Sequence, residues 1–126
     1  MPASAVTATP AAPSPHTVRG RHGEERALQY LTGQGLTLVT RNFRCRGGEI
    51  DLIMWHGREL VFIEVRSRAS ASHGGAAASV TSRKQARLIL AAQVFLQRHR
   101  RLPPCRIDVI AIDGSGLKWL TGAVSL

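Results

Sequence analysis

Gly48-Glu49-Ile50-Asp51-Leu52-Ile53-Met54-Trp55-His56, followed after Gly57-Arg58 by Glu59-Leu60-Val61-Phe62-Ile63-Glu64-Val65-Arg66, is the stretch on which the fold turns. Two largely apolar runs, Glu49 to His56 and Glu59 to Arg66, flank a short turn and read as an antiparallel hairpin. Alternate residues of a strand share a face, so Glu49 and Asp51 are expected on one side and Ile50, Leu52 and Met54 on the other. Glu64 and Arg66 likewise share a face, opposite Val61, Ile63 and Val65. A turn near Gly57 then sets Asp51 almost across from Glu64.

Glu64 interrupts an apolar strand and is expected to be at least partly buried. A buried carboxylate is costly unless it is paired or bound to a cation. Two carboxylates in register repel, and a hard divalent cation with oxygen ligands relieves that repulsion. Mg²⁺ or Mn²⁺ held by Asp51, Glu64 and the Val65 carbonyl would acidify a bound water and stabilise charge on a phosphoryl group. A structural ladder in which Arg66 neutralises Glu64 or Asp51, with no metal, satisfies the same spacing.

Outward from this hairpin, Leu36 to Phe43 reads as a preceding strand that meets it through Cys45-Arg46-Gly47-Gly48. Before that, Arg21 to Gly33 has the apolar stripe of a helix, with Ala27, Leu28, Tyr30 and Leu31 inward and Glu24 on or beside that face. After the hairpin, Ser67 to Val80 is nearly all Ser, Ala and Gly and is expected to form a mobile loop. Ser82-Arg83-Lys84-Gln85 matches a capping box that opens a helix to about Arg98, with Leu88, Ala91, Ala92, Phe95 and Leu96 facing the core. Cys105 to Ile112 reads as a buried strand and Leu117 to Val124 as its hairpin partner. The order α-β-β-β-α-β defines an α/β domain with a mixed sheet flanked by helices, because a strand, crossover helix and strand pair in parallel.

The chain has 126 residues, enough for one domain, expected over residues 19–126. Residues 1–18 hold no long apolar core and read as a disordered tail on a cytoplasmic protein rather than a secretory signal or transit peptide. The longest uncharged apolar run, Ile89 to Leu96, falls far short of the ~20 residues that span a bilayer. Cys45 and Cys105 stand far apart without ligand spacing, which argues against zinc. Seventeen Lys plus Arg against 8 Asp plus Glu, a formal charge of +9, point to a polyanionic partner.

Glu24, Asp51 and Glu64-Val65-Arg66 resemble the restriction-endonuclease-like, or PD-(D/E)XK, nuclease superfamily, whose pattern is an acidic helix residue, then D, then E-x-K. More narrowly, Arg21-His22-Gly23-Glu24 with Ala27, Arg41-Asn42-Phe43-Arg44, Gly48 to Ile53, Phe62 to Arg68 and Lys84 resemble the YraN family of small bacterial proteins. The likeness covers about residues 19 to 112 and implies a restriction-endonuclease-like core. It implies that Asp51 and Glu64 bind Mg²⁺ or Mn²⁺, with Glu24 joining directly or through water and Glu49 standing behind them. Arg66 departs from the superfamily lysine: arginine can stabilise negative charge but is a poor general base. Lys84 can bring an ammonium group to the same place, or be an ordinary solvated helix residue.

Arg41, Arg44 and Arg46 near Asp51, and Arg66 and Arg68 near Glu64, are expected to converge on the acidic pair and hold phosphate oxygens. Nothing resembles an aromatic stacking platform, so backbone shape is expected to be read rather than bases. The expected function is metal-dependent hydrolysis of phosphodiester bonds in nucleic acid, DNA ahead of RNA. The likeness to small Holliday junction resolvases implies branched or damaged DNA, in repair or recombination, and a homodimer. The alternatives are an inactive nucleic-acid-binding module of the same fold and a basic ribosome-associated protein.

Overall fold

The computed structural model describes residues 15–68 and 75–126. Helix α1 (Pro15–Gly33) leads into three strands, β1 (Thr37–Cys45), β2 (Gly48–His56) and β3 (Glu59–Ser67). A 3₁₀ turn (Ala77–Ser79) and helix α2 (Ser82–Leu96) follow, then β4 (Cys105–Asp113) and β5 (Gly116–Val124). The sheet order is β1-β2-β3-β4-β5. Only β3 and β4 pair in parallel, across the α2 crossover; the other neighbours are antiparallel. The mixed α/β core expected from the sequence is therefore present. No described helix is long and apolar enough to cross a membrane.

The two helices cover opposite faces. Ala27 and Leu31 of α1 pack on Leu52, Met54, Val61, Ile63, Val65, Ile110 and Ile112. Leu88, Ala91, Ala92 and Phe95 of α2 pack on Ile50, Ile53, Leu60, Phe62 and Ile107. Strands covered on both sides read as nearly continuous apolar runs, as β3 and β4 do apart from Glu64 and Asp108. Tyr30 sits at the rim of the first layer, edge-on to Trp119 with ring centroids 6.2 Å apart.

Four local readings change. α1 begins at Pro15, not Arg21, so its first turn takes up the last residues read as tail; residues 1–14 lie outside the described residues. Proline suits a first helical position, where its missing N–H has no partner to lose. The α2 cap is Thr81, whose side chain accepts from the Lys84 N–H at 3.3 Å, and not Ser82, which is already helical. Within the segment read as a mobile loop, Ala76 and Ser79 are buried and Ala76 donates its N–H to Asp113; small side chains pack closely here, whereas residues 69–74 lie outside the described residues.

The fourth change concerns strand alternation. Ile50 belongs with the α2 layer, whereas Leu52 and Met54 belong with the α1 layer. The change falls at Asn42, which has φ +53° and, by the flanking pairs Arg41↔Leu52 and Phe43↔Ile50, stands across from Asp51; the register itself shifts between Leu38 and Thr40. Asparagine tolerates this left-handed backbone better than most side chains. The kink turns Phe43 and Ile50 to the α2 face, out of phase with residues beyond it.

The sequence also concealed a buried charge. Asp108, fully buried, accepts from Arg106 Nε at 2.9 and 3.1 Å, from Trp119 Nε1 at 2.9 Å and from the Gly122 N–H at 2.8 Å. Arg106 also donates to Glu59 at 2.6 Å. These donors hold β5 against β4 where their register shifts between Ile107 and Val109.

α2 is seated on the β1–β2 turn with almost nothing between. A Cβ added at Gly48 would stand 2.4 Å from the Arg87 carbonyl oxygen, a backbone atom that cannot yield without moving the helix. Gly48→Ala is expected to lower stability by about 2–3 kcal/mol through overpacking. Gly33→Ala, where an added Cβ meets nothing within 4 Å, is expected to be neutral or slightly stabilising. Urea unfolding of both variants checks the pair.

Candidate active site

The β2–β3 ladder runs from His56↔Glu59 to Leu52↔Ile63 and stops, just short of Asp51 and Glu64. Beyond this point β2 stays with β1, while β3 continues with β4 through Glu64↔Val109 and Arg66↔Ala111. The Val65 N–H, facing the opening, donates to Asp51 Oδ2 at 2.8 Å. A strand residue directs its N–H and C=O to the same edge, so the Val65 carbonyl faces the opening too.

The carboxyl groups of Asp51 and Glu64 stand close enough to perturb each other. Burial raises both above their ordinary values. For Glu64, burial and then the adjoining Asp51 carboxylate push the pKa up to about 9, with Arg66 opposing. Asp51 rises chiefly by burial, and the Val65 N–H pulls it back. Arg66 Nη1 stands 3.5 Å from Glu64 Oε2, too long for a strong bond.

Glu64 opens on a cleft of about 440 Å³ between the sheet and the start of α2. Glu49, Glu64 and Arg66 form one wall; Thr81, Arg83, Lys84, Arg87 and Leu88 form the other. Burial, together with Arg66 and Arg68, lowers the pKa of Lys84 against the opposing pull of Glu64 and Asp51. Arg87 approaches Glu49 at 3.5 Å with both side chains about half exposed, a weak link between α2 and β2.

The fold thus brings Asp51, Glu64, Val65, Arg66 and Lys84 to one place. Glu24 lies half-buried on α1 beside Gly23, whose added Cβ would meet Ser67 Cβ at 3.3 Å. That contact sets its turn of helix near the end of β3 on the face opposite α2, and Glu24 does not line the cleft. Among the described residues no three His, Cys, Asp or Glu side chains are gathered to hold an ion. The oxygen donors in place are two carboxyls and a carbonyl, a set suited to Mg²⁺ or Mn²⁺ rather than to softer metals.

The arginine convergence is only partial. Arg41 is drawn to Glu25 of α1 at 3.2 Å, and exposed Arg44 and Arg46 at the β1–β2 turn do not line the cleft. Arg44 is paired across the β1–β2 ladder with Glu49, which lines the cleft, so it lies beside the cleft without forming its wall. Arg68 is near enough to influence Lys84. Arg83 and Arg87 supply the other cleft cations. Their i, i+4 spacing beside Lys84 on one helix face was the signal available in the sequence.

The carboxyl pair has a consequence for stability. Glu64 binds its proton more tightly folded than unfolded, where its value is the ordinary 4.5. Its contribution is therefore fully present below about pH 4.5 and is lost as pH rises towards 9. Glu64→Gln, which cannot ionise, is expected to be more stable than the parent by about 1–2 kcal/mol at pH 8 in a chelator. The gap should widen from pH 5 to pH 9 in thermal melts.

Comparison with known proteins agrees with the motifs. The profile of the uncharacterised protein family UPF0102 matches residues 23–112. A UPF0102 protein of Herminiimonas arsenicoxydans is 59% identical over 113 residues, covering 87% of this chain and 91% of its own length. One from Janthinobacterium sp. (strain Marseille) is 57% identical over 105 residues, covering 83% and 85%. Another from Alkalilimnicola ehrlichii is 54% identical over 116 residues, covering 90% and 92%. The chain belongs to the uncharacterised protein family UPF0102, which is the YraN family.

Proposed function

We propose that this protein is a divalent-metal-dependent nuclease that hydrolyses phosphodiester bonds, with DNA its substrate ahead of RNA. The observation that carries this reading is the pairing of the buried Glu64 carboxyl with the part-buried Asp51 carboxyl at a cleft with four cationic side chains on its walls. Asp51 is held in place by the Val65 N–H, and Glu64 must release its proton to act as a ligand. Asp51, Glu64 and the Val65 carbonyl would hold Mg²⁺ or Mn²⁺, which supplies an acidified water and charge stabilisation at the phosphoryl group. Arg66, Arg83, Lys84 and Arg87 offer donors to phosphate oxygens.

No aromatic side chain lines the cleft, which favours recognition through phosphate and backbone shape over base stacking. DNA, and branched or damaged forms of it, are taken from the likeness to the nuclease superfamily. Symmetric cutting of a junction would require a second copy of the chain. One observation favours a second reading, a nucleic-acid-binding module without turnover: Arg66 stands where the superfamily places lysine and is a poor general base.

The test incubates the parent, Glu64→Gln and Asp51→Asn with end-labelled duplex, single-stranded, flap and four-way-junction DNA and matching RNA. Mg²⁺, Mn²⁺ and EDTA form the arms. The parent is expected to cut in either metal and not in EDTA, and each variant to lose activity by about a hundredfold or more. Equal cleavage by parent and variants identifies a contaminant. Binding without cleavage in both metals favours the module, and absence of binding overturns both readings.

A further inference from the structure

The reading of Arg66 as a fixed cation in the cleft rests on the proposed function, and its surroundings show how it is fixed. Arg66 Nε donates to Ser79 Oγ at 2.8 Å, and Nη1 faces Glu64 Oε2 at 3.5 Å. A planar guanidinium anchored at Nε and directed at Nη1 has its plane determined. Its remaining N–H bonds lie on the two terminal nitrogens, on a side chain that lines the cleft.

Ser79 is itself constrained. It is 8% exposed, and its hydroxyl proton goes to the Ala76 carbonyl at 2.6 Å, which leaves its lone pairs for Arg66. The Ala76 N–H is in turn held by Asp113 Oδ2 at 3.2 Å, while Asp113 Oδ1 takes the Ser115 N–H at 2.8 Å. A chain of hydrogen bonds with one sense therefore runs from Arg66 into the 3₁₀ turn, and the β4–β5 turn holds that segment from its other side. The position of the acceptor is not set by Arg66 alone.

We propose that Ser79 is a positioning residue matched to arginine at position 66, holding the guanidinium in the cleft in an orientation that a lysine at this position does not reproduce. Lysine carries its only nitrogen at the chain end, so it has no second donor midway along a planar group. The acceptor on Ser79 and the arginine on β3 are two halves of one device. A lysine at 66 would leave the buried acceptor without its donor.

A double-mutant cycle tests this with Ser79→Ala, Arg66→Lys and the two combined, read by DNA cleavage or, without turnover, by DNA affinity. Each single change is expected to cost roughly tenfold, the size of losing one hydrogen bond to a charged group. The double variant should be little worse than either single one, and Ser79→Thr, which keeps the acceptor, should recover most of the loss. A second readout needs no activity: the Arg66 Nε–H resonance in a ¹H–¹⁵N spectrum. It is expected to be protected from exchange in the parent and Ser79→Thr and lost in Ser79→Ala, with backbone signals elsewhere retained. Fully additive losses in the cycle, or an unchanged Arg66 resonance in Ser79→Ala, would overturn the proposal. If the parent neither binds nor cuts nucleic acid, the functional reading falls, and the resonance alone decides the role of Ser79.

Discussion

Val65 gives its amide hydrogen to a carboxylate where a continuing ladder would have offered a backbone carbonyl. That bond marks where β2 leaves β3, and it permits the separation, because a buried N–H with no acceptor would close the gap or destabilise the strand. Asp51 supplies the acceptor, and in doing so is drawn beside Glu64. The Asn42 kink on the neighbouring strand accommodates the same break, and the contact of α2 with Gly48 sets the far wall. Strand separation, carboxyl pair and cleft are thus aspects of one irregularity in an otherwise regular sheet.

Two acidic environments in this small protein show what such a break costs. Asp108 is wholly buried and surrounded by donors from Arg106, Trp119 and Gly122, as a charge inside a stable domain must be. Asp51 and Glu64 have between them one hydrogen bond of ordinary length, from the Val65 amide, with Arg66 and Lys84 as nearby cations in the cleft. A pair left under-compensated beside an accessible cleft is the pattern expected where stability is given up for binding.

The hairpin from Gly48 to Arg66 was legible because its turn fixes one register, and that register, continued past the last paired residues, sets Asp51 across from Glu64. The helices were legible for a similar reason: Leu88, Ala91, Ala92 and Phe95 repeat at helical spacing. What could not be read depended on single backbone angles or on contacts distant in sequence. Nothing in local pattern reveals the left-handed backbone of Asn42 or the pairing of Arg41 with Glu25, so the expected gathering of Arg41, Arg44 and Arg46 is met only in part. Ser79 looked like one more small residue in a featureless segment, and its meaning comes from Arg66, thirteen positions earlier. Asp108 read as part of an apolar strand because two of its donors, Trp119 and Gly122, lie on β5, out of reach of the local pattern.

The backbone-to-backbone seating of α2 on Gly48 bears on how quickly anything can enter the cleft. Helix displacements belong to microseconds and longer, whereas rotamer changes of exposed side chains take picoseconds to nanoseconds. With Arg87 and Ala91 resting directly on the β1–β2 turn, the helix has no room to move closer to the sheet at this end. With the helix in this position, adjustment of the passage is left to the long side chains of Arg83, Lys84 and Arg87 that line it, a fast local fluctuation.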